Sequence, residues 1–156
     1  ELLLIVPQGN QVREKSAPLI QQDLQKIGIK TKIQITDFPT LLTMLRDGDY
    51  DLGLIGSAGS LDPGESVFNV TVGHMNNFAH LTDPTLGNLG QKGSRGTSFE
   101  ERKPIYDEYQ MVLNEQMPFV WLYFPNKLQA YNKRLSNVPV EDFAFMNWCV
   151  WEWKVD

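Results

Sequence analysis

The sequence holds 156 residues, of which 42% are hydrophobic and 21% are charged, and its 14 basic and 19 acidic side chains give a net charge of −5. This length and composition are typical of one globular domain with its own core, and the acidic balance excludes a protein that binds nucleic acid by neutralising phosphates. The single cysteine excludes an internal disulfide, and no apolar run reaches the roughly 18 residues that a membrane-spanning helix needs.

The chain opens with a predicted strand over residues 2–6, an apolar run followed by turn residues. A helix comes next, and Gly28 supplies its C-terminal stop. The apolar stripe of this helix is made of Ala17, Ile20, Leu24 and Ile27. Two starts stay open: either Ser16 caps the helix with Pro18 in its first turn, or the helix begins near Asn10 and bends.

A second strand and a second helix follow in the same order. Residues 29–35 alternate apolar with polar side chains, which predicts a half-buried strand. Asp37 is the predicted N-cap of a short amphipathic helix, with Pro39 in the first turn. The apolar residues of this helix are Phe38, Leu41, Leu42 and Leu45. The order strand, helix, strand, helix, strand up to Ile55 predicts a parallel sheet with right-handed crossovers.

The segment from Asp47 to Gly64 carries the strongest signal for a binding site. After a short turn, residues 50–55 form an apolar predicted strand, in which Gly53 indicates the close approach of another backbone or side chain. The strand leads into a loop almost without side chains. The loop ends at Asp62, before a proline, as a turn or a helix start.

The loop after this strand suits a ligand because small residues leave backbone N–H and C=O groups accessible. In an open α/β sheet, ligands usually bind where loops leave the carboxyl ends of the strands. The predicted ligand-binding residues are therefore Gly56, Ser57, Ala58, Gly59, Ser60 and Asp62. A plain glycine-rich connection is the alternative. Asp62 is either a hydrogen-bond acceptor for a cationic or hydroxylated ligand or the N-cap of a helix that begins at Pro63.

Sequence patterns typical of helices and strands are weak over residues 66–98. Asp83 and Pro84 can open a short helix there. Glycines recur through it at Gly87, Gly90, Gly93 and Gly96. These glycines predict a loose stretch. The run 90–96 lacks the Gly-Lys-Ser or Gly-Lys-Thr ending of a phosphate-binding loop, and it is interpreted as a flexible surface loop.

A second long helix and an apolar strand are predicted after this stretch. Ser98 to Glu101 form a capping box, and Pro118 ends the helix. Residues 119–124 are aromatic and apolar throughout, which predicts a strand buried on both faces.

The tail of the chain is dense in aromatic residues. Trp151, Trp153 and Val155 alternate, which predicts a final strand with one aromatic face. Cys149 lies beside Trp148 and is interpreted as a small buried side chain rather than a nucleophile.

The sequence shows no pattern typical of a catalytic or metal site. Ser57 directly follows Gly56, so the G-x-S-x-G spacing of a nucleophile elbow fails. The spacing of the two histidines, His74 and His80, matches no helical zinc motif, and they are interpreted as solvated or satisfied by the core. We therefore expect neither an enzyme nor a bound metal or cofactor.

Several short motifs follow each other in the order found in one protein family. They are Gly9-Asn10 before a helix, Leu24-Gln25-Lys26-Ile27-Gly28-Ile29, Gly48-Asp49-Tyr50-Asp51-Leu52, Asp62-Pro63, Asn77 followed by Asp83-Pro84, Glu101-Arg102 to Tyr109-Gln110, and Met117-Pro118 to Leu122-Tyr123. Over residues 4–153 the chain resembles the C-terminal ligand-binding lobe of the family 5 extracytoplasmic solute-binding proteins, the oligopeptide and dipeptide receptors of ABC importers.

The resemblance implies an α/β fold, a lobe of the type II periplasmic-binding-protein kind with a mostly parallel sheet flanked by helices. Residues 1–156 would form a single lobe of a larger two-lobed receptor, which closes over its ligand by a hinge motion. The implied partners are a peptide or small-molecule ligand, the missing N-terminal lobe of the same receptor and the permease subunits of an ABC transporter. The implied location is extracytoplasmic: the periplasm, or the cell surface by a lipid anchor outside this chain.

Two other functions stay open. One is the ligand-sensing lobe of a family 5-type regulator, which a DNA-binding segment upstream would distinguish. The other is a free-standing α/β hydrolase or transferase. That enzyme would require turnover by this chain alone and an ordered pair among Ser57, His74, His80 and Asp62.

The sequence departs from the family pattern at the predicted site. Peptide receptors of this family commonly carry an aspartate, which pairs with the peptide's ammonium group, four residues before the proline of the Asp-Pro pair; here that position is Gly59. The tryptophan that usually follows the glycine at the end of the central strand is replaced by Ser57. A buried ammonium without a counter-ion is costly. Either Asp62 substitutes for the missing carboxylate, or the ligand has no free amine there.

Overall fold

The computed structural model describes residues 1–57, 61–126, 128, 130–138 and 150–155. Its strands are β1 (Leu2–Pro7), β2 (Thr31–Thr36), β3 (Leu52–Gly53), β4 (Leu135–Ser136) and β5 (Lys154–Val155). Its α-helices are α1 (Gln11–Lys26), α2 (Phe38–Asp47), α3 (Thr85–Arg95) and α4 (Phe99–Gln116). One 3-10 helix spans Pro63–Val70 and a shorter one spans Val150–Glu152.

The first three strands form a parallel sheet, as their alternation with helices predicts. β1 lies in the centre of the order β2-β1-β3, and it is parallel to both neighbours. Leu4 of β1 pairs with Ile33 of β2 on one side and with Leu52 of β3 on the other. β3 is shorter than the predicted strand over 50–55. All three strands point the same way and end at the same edge of the sheet.

The side chains of β1 alternate between two apolar layers, because successive residues of a strand face opposite sides of a sheet. Leu4 packs with Ala17 of α1 on one face. Ile5 packs with Leu41 and Leu45 of α2 on the other. All five side chains are at most 2% exposed. The sheet is therefore flanked by a helix on each face, and the predicted α/β class is confirmed.

Helix α1 begins at the earlier of its two predicted starts. Asn10 is the N-cap, and its side-chain oxygen accepts a hydrogen bond from the backbone N–H of Arg13 at 3.1 Å. The Glu14 carboxylate accepts another from the N–H of Gly9 at 2.6 Å, which ties the preceding turn to the helix. Pro18 lies inside the helix rather than in its first turn. Its ring leaves one intrahelical hydrogen bond unmade, as expected for an internal proline.

Asp37 caps α2, as predicted. Its carboxylate accepts hydrogen bonds from the N–H and the hydroxyl of Thr40 at 3.0 and 2.7 Å, and these bonds hold its pKa below the usual range. Gly48 ends the helix in the left-handed conformation with φ +81°, which glycine adopts without steric cost. A Cβ at Gly53 would lie 3.0 Å from Leu45 Cδ2, so the close approach predicted at this glycine is confirmed.

Three of the four glycines over 87–96 lie in the close-packed helix α3, and the prediction of a flexible loop over 90–96 is wrong. The buried glycines of α3 are Gly87, Gly90 and Gly93. A Cβ at Gly90 would lie 2.9 Å from the Cβ of Val67 in the longer 3-10 helix, and one at Gly93 would lie 2.7 Å from Cζ of Tyr106 in α4. Their spacing of three places them on one helix face, where they permit close packing instead of flexibility.

A second core lies between the longer 3-10 helix, α3 and α4. Its buried members are Val70, Leu86, Tyr106 and Tyr109. The rings of Tyr106 and Tyr109 meet edge to face with centroids 6.1 Å apart, an arrangement that aromatic pairs favour. Burial raises the pKa of the Tyr109 hydroxyl. These contacts fix α4 against the segment that leaves the predicted binding loop.

The predicted capping box at the start of α4 is present in a shifted form. The hydroxyl of Ser98 accepts from the N–H of Glu101 at 3.2 Å. The Glu101 carboxylate reaches back one residue further, to the N–H of Thr97 at 2.9 Å, and this bond lowers its pKa. Met117 ends the helix in the left-handed region with φ +47°. Pro118 follows, as predicted.

The strand predicted over residues 119–124 is wrong. In the described part of the chain this segment pairs with no strand, and Val120 and Phe124 are 75% and 88% exposed. A strand buried on both faces needs a covering layer on each side. In the described residues those layers cover β1 to β3.

The tail also differs from its prediction. Trp151 lies in the shorter 3-10 helix, and Lys154–Val155 is the strand, antiparallel to β4. Cys149 lies outside the described residues, so its predicted burial stays a prediction. None of the described helices combines the length and apolar character needed to cross a lipid bilayer.

Candidate ligand-binding site

The predicted binding loop leaves the sheet at the edge where β1, β2 and β3 all end. We term this edge the carboxyl edge; its described residues are 8–13, 37 and 54–57. Gly56 and Ser57 are exposed there, directly after β3. Three further predicted site residues lie outside the described residues and stay predictions: Ala58, Gly59 and Ser60.

Gly56 lies under the side chain of Arg13, which comes from the first turn of α1. A Cβ at Gly56 would overlap Arg13 Nη2 and would lie 3.3 Å from Arg13 Cζ. Arg13 of the same chain thus approaches Gly56 closely, and the predicted approach of a ligand to this loop stays a prediction. Arg13 is not among the predicted site residues, because the contact joins two distant parts of the sequence. The available signal is Asn10, whose role as N-cap places Arg13 at the carboxyl edge.

Asp62, at the far end of the loop, accepts hydrogen bonds from Gly64 and Arg102. Its Oδ1 accepts from the N–H of Gly64 at 2.7 Å, which makes Asp62 the N-cap of the longer 3-10 helix. The same oxygen accepts from Nη2 of Arg102 in α4 at 2.6 Å. The bond from Arg102, followed by that from Gly64, holds the pKa of Asp62 below its usual range. The capping role predicted as one alternative is confirmed, and the ion pair adds to it.

Arg102 links three elements at this end of the loop. Besides Asp62, its Nε donates to the carbonyl of Gly93 in α3 at 3.0 Å. Its guanidinium lies over the ring of Tyr106, with Cζ 5.4 Å from the centroid. Bonds to Asp62 and to the Tyr106 hydroxyl raise the pKa of Arg102, which keeps it charged. The side chain of Asp62 remains 46% exposed.

A cleft of about 470 Å³ lies at the opposite edge of the sheet, where α2 ends. Its lining residues are Arg46, Gly73, His74, Met75, Asn77, His80, Leu81 and Thr82. His80 Nε2 donates to the carbonyl of Leu45 at 3.0 Å, and His74 Nδ1 accepts from the N–H of Asn76 at 3.2 Å. Among the described residues there is no group of three possible metal ligands of the His, Cys, Asp or Glu type. His74 thus bonds to the backbone of its own turn, and His80 bonds to the backbone of α2.

The histidines and Ser57 lie at opposite edges of the sheet. Helix α2 starts at the carboxyl edge beside Asp37 and ends beside the cleft, and its 10 residues span about 15 Å. The described fold therefore does not bring Ser57 together with His74 or His80. Among the described residues, Ser57 therefore forms no catalytic pair with either histidine.

The chain matches the family model described as "Bacterial extracellular solute-binding proteins, family 5 Middle" over residues 1–78. It is 30% identical over 135 residues to "Probable di/tripeptide-binding protein 5" of Pseudomonas aeruginosa, a match that covers 82% of this chain and 25% of that protein. It is 28% identical over 136 residues to "Oligopeptide-binding protein AppA" of Bacillus subtilis, covering 83% and 24% respectively. The chain thus spans about a quarter of the length of these relatives.

Solved structures show the same fold. The putative peptide binding protein AppA from Clostridium difficile superposes with a TM-score of 0.83 at 22% identity, over 99% of this chain and 33% of that one. The oligopeptide-binding protein AppA from Bacillus subtilis, in complex with a nonapeptide, gives 0.80 at 22% identity, over 99% and 31%. The predicted fold, a type II periplasmic-binding-protein lobe, is confirmed. Since the family model covers half of its sequence, this chain belongs to the bacterial extracellular solute-binding proteins of family 5.

Proposed function

We propose that this chain is the ligand-binding lobe of a solute receptor for an ABC importer, and that the ligand binds at its carboxyl edge. The observation that carries this proposal is the exposed loop start at Gly56 and Ser57, where parallel strands end in a family 5 fold. Ligands of open α/β sheets bind at that edge. Names of the relatives refer to di-, tri- and oligopeptides, which supports a peptide as the ligand.

The receptor we propose has a second lobe, supplied by sequence outside this chain. Residues 1–156 are one lobe in this proposal, and the match to about a quarter of each relative supports a larger protein. The exposed aromatic and apolar residues after α4 also support it, because isolated soluble domains rarely expose large apolar patches. They are Val120, Trp121, Leu122, Tyr123 and Phe124. The missing lobe would close over the ligand, and the closed receptor would dock on permease subunits.

The ion pair at Asp62 bears on how a peptide would be anchored. Arg102 and the N–H of Gly64 already share Asp62 Oδ1. A carboxylate committed to a cation of its own chain is a weaker counter-ion for a ligand ammonium group. With glycine at position 59, we therefore favour a ligand whose anchoring charge at this lobe is not an ammonium.

The proposed role is binding without chemistry. Solute-binding proteins of this family serve transport, and the described residues keep Ser57 apart from the histidines. We propose that the full receptor works outside the cytoplasm, as the names of periplasmic relatives suggest. A lipid anchor outside this chain would hold it at the surface in a cell without a periplasm.

Native mass spectrometry of the gently purified full-length receptor, followed by release of whatever it carries, tests the proposed function. A ladder of peptide masses is the expected result. Release of a single non-peptide compound would agree with a receptor role and would contradict a peptide as the ligand. A receptor that carries nothing, and that binds neither peptides nor other solutes of a transport panel, would contradict the proposal.

The site itself is tested by combining Asp62→Ala with Gly59→Leu in the full-length receptor. We expect the combined variant to lose affinity for the released ligand, because leucine fills the loop and alanine frees its far end. Asp23→Ala is a matched control: it removes a carboxylate from the exposed pair with Lys26 on α1, and it should leave affinity unchanged. Unchanged affinity in the combined variant would exclude this loop as the site.

A further inference from the structure

The cleft at the end of α2 is a cavity that the proposed function does not use. It lies at the edge of the sheet opposite the carboxyl edge, and its volume of about 470 Å³ falls within the range typical of sites for small molecules. Its lining combines a cation, Arg46, with two imidazole rings and with the apolar side chains of Met75 and Leu81. A charge beside an apolar wall suits a molecule that has both an anionic and an apolar part.

Arg46 carries a charge that the described chain leaves without a partner. Among the described residues its guanidinium forms no ion pair and donates no hydrogen bond. The end of α2 does not need it as a cap: the carbonyl of Met44 accepts from two backbone N–H groups after the helix, and that of Leu45 accepts from His80. Because a guanidinium has five N–H donors and no acceptor, Arg46 can donate to an acceptor from another molecule.

His74 supplies a second donor to the same cleft. Its Nδ1 accepts the N–H of Asn76 at 3.2 Å, so the proton of the neutral ring lies on Nε2. The ring also packs against that of Phe68, with centroids 5.5 Å apart. These two contacts restrict the imidazole and leave its Nε2–H without an acceptor among the described residues.

Three side chains hold the wall of the cleft by hydrogen bonds to backbone groups. The amide of Asn77 bonds to both the carbonyl and the N–H of Leu81, at 2.9 and 3.1 Å. The Tyr50 hydroxyl donates to the carbonyl of Phe78, and His80 ties the same segment to α2. The cleft is therefore formed before a ligand arrives, which lowers the ordering entropy that binding must offset.

We propose that this cleft is a second binding site, separate from the one at the carboxyl edge, and that it takes a small organic carboxylate with an apolar body. Arg46 binds the carboxylate through two parallel N–H···O bonds. The Nε2–H of His74 donates to the same group, and the apolar body lies against Met75. A single fixed positive charge matches a carboxylate better than a phosphate monoester, which carries about two negative charges near neutral pH.

The experiment uses the full-length receptor and two probes that differ in the charge of their head group, hexanoate and hexanamide. Ligand-observed saturation-transfer NMR titrations near neutral pH measure the Kd of each probe. For wild type we expect hexanoate to bind about 10-fold or more tightly than hexanamide. In Arg46→Met we expect about 10- to 100-fold weaker binding of hexanoate, with hexanamide affinity unchanged, so that the preference disappears.

Further variants test each contact. Arg46→Lys should keep part of the preference, since it retains the charge without the fork geometry. His74→Phe keeps a ring beside Phe68 and removes the donor, so hexanoate should bind about 2- to 10-fold more weakly. Met75→Ser should weaken the binding of both probes. Arg95→Met is the matched control: Arg95 is exposed in the last turn of α3, as Arg46 is in α2, but it does not line the cleft, so both affinities should stay unchanged.

Hydrogen exchange of the same receptor locates the probe. Hexanoate should protect backbone amides of residues 73–82 and leave those of 54–62 unchanged. Protection at 54–62 instead, absence of hexanoate binding, equal binding of acid and amide, or an Arg46→Met variant that keeps the preference would each overturn the second site. None of these results bears on the receptor function, which fails only if the receptor binds no solute of the transport panel. Should Arg46→Met fail to fold, Arg46→Lys and His74→Phe decide by the same comparison of acid with amide.

Discussion

Arg102 of α4 donates a hydrogen bond to Asp62 across 40 positions of sequence, with Nη2 and Oδ1 2.6 Å apart. The same oxygen caps the helix that starts at Pro63. The far end of the predicted binding loop is therefore fixed to the second core through one side chain. The near end, at Gly56, lies under Arg13 of the first helix. Arginines from two different layers thus bracket the loop.

Replacing Asp62 should destabilise the receptor in proportion to how many of its bonds are lost. Asp62→Ala removes both the helix cap and the ion pair, whereas Asp62→Asn keeps an oxygen for the cap. We expect the melting temperature of the full-length receptor to fall by about 2–4 °C for alanine and by less for asparagine. Differential scanning fluorimetry provides the measurement.

An exposed ion pair of the same helix provides the control for this comparison. Lys103 and Asp107 of α4 are 56% and 53% exposed, and such pairs contribute little to stability. Asp107→Ala should leave the melting temperature nearly unchanged. If it lowered stability as much as Asp62→Ala does, the special position of the Asp62 pair would be contradicted.

The contribution of Asp62 should also depend on pH. Its pKa in the folded protein lies below the ordinary value of 3.8 because Arg102 and Gly64 stabilise the charged form. The stabilisation is therefore fully present above the unfolded-state pKa and is lost as pH falls through the folded-state pKa. We expect the melting temperature of wild type to exceed that of Asp62→Asn near pH 6. This difference in melting temperature should shrink as the pH falls below about 4. A difference that stays constant to pH 2.5 would contradict this cause.

The close packing at Gly90 makes a conservative substitution costly. Alanine favours helices by about 1 kcal/mol over glycine, but its Cβ would lie 2.9 Å from Cβ of Val67. Overpacking costs about 1–3 kcal/mol, so we expect Gly90→Ala to lower the free energy of unfolding. The double variant Gly90→Ala/Val67→Ala should lose less free energy of unfolding than the two single variants lose together. Urea unfolding measures all three variants.

The exposed face of the same helix supplies the comparison for Gly90. Asn88 is exposed on α3, and Asn88→Ala should stabilise by about 0.5 kcal/mol through helix propensity. A stabilising Gly90→Ala variant would show that α3 does not pack on the longer 3-10 helix as closely as described.

The histidines should affect stability rather than binding of the transported ligand. His80→Ala removes the hydrogen bond to the carbonyl of Leu45, which costs about 0.5–1.5 kcal/mol. Because His74 and His80 line the cleft at the opposite edge of the sheet from Ser57, neither alanine variant should change ligand affinity measured by calorimetry. A tenfold loss of affinity in a variant that remains folded would place the ligand at that cleft instead.

The sheet and its helices were predictable from sequence because their signals are local. The cap at Asp37, the alternation of apolar residues and the stop at Gly28 each depend on neighbours within one turn or strand. The start of α1 could not be chosen, since a cap at Asn10 and a proline inside the helix point to different boundaries. The glycines of α3 resemble a loop in the sequence because their packing partners, Thr71, Val67 and Tyr106, lie outside this helix.

The candidate site was predictable only in part for the same reason. Gly56 and Asp62 stand out by residue type and by their position after a strand. Arg13 and Arg102 do not, because each meets the loop across a long stretch of chain. The segment over 119–124 has the composition of a buried strand, yet composition cannot supply the neighbouring strands that would bury it. Contacts between residues that are distant in sequence are thus the features that the sequence alone does not predict.

Hydrogen exchange of the full-length receptor, measured by mass spectrometry with and without the peptides that native mass spectrometry identifies, tests the central claim most directly. If the ligand binds at the carboxyl edge, peptide binding should protect backbone amides of residues 54–62 and of 8–13. Protection confined to residues 73–82, which line the cleft at the opposite edge, would contradict the proposed site.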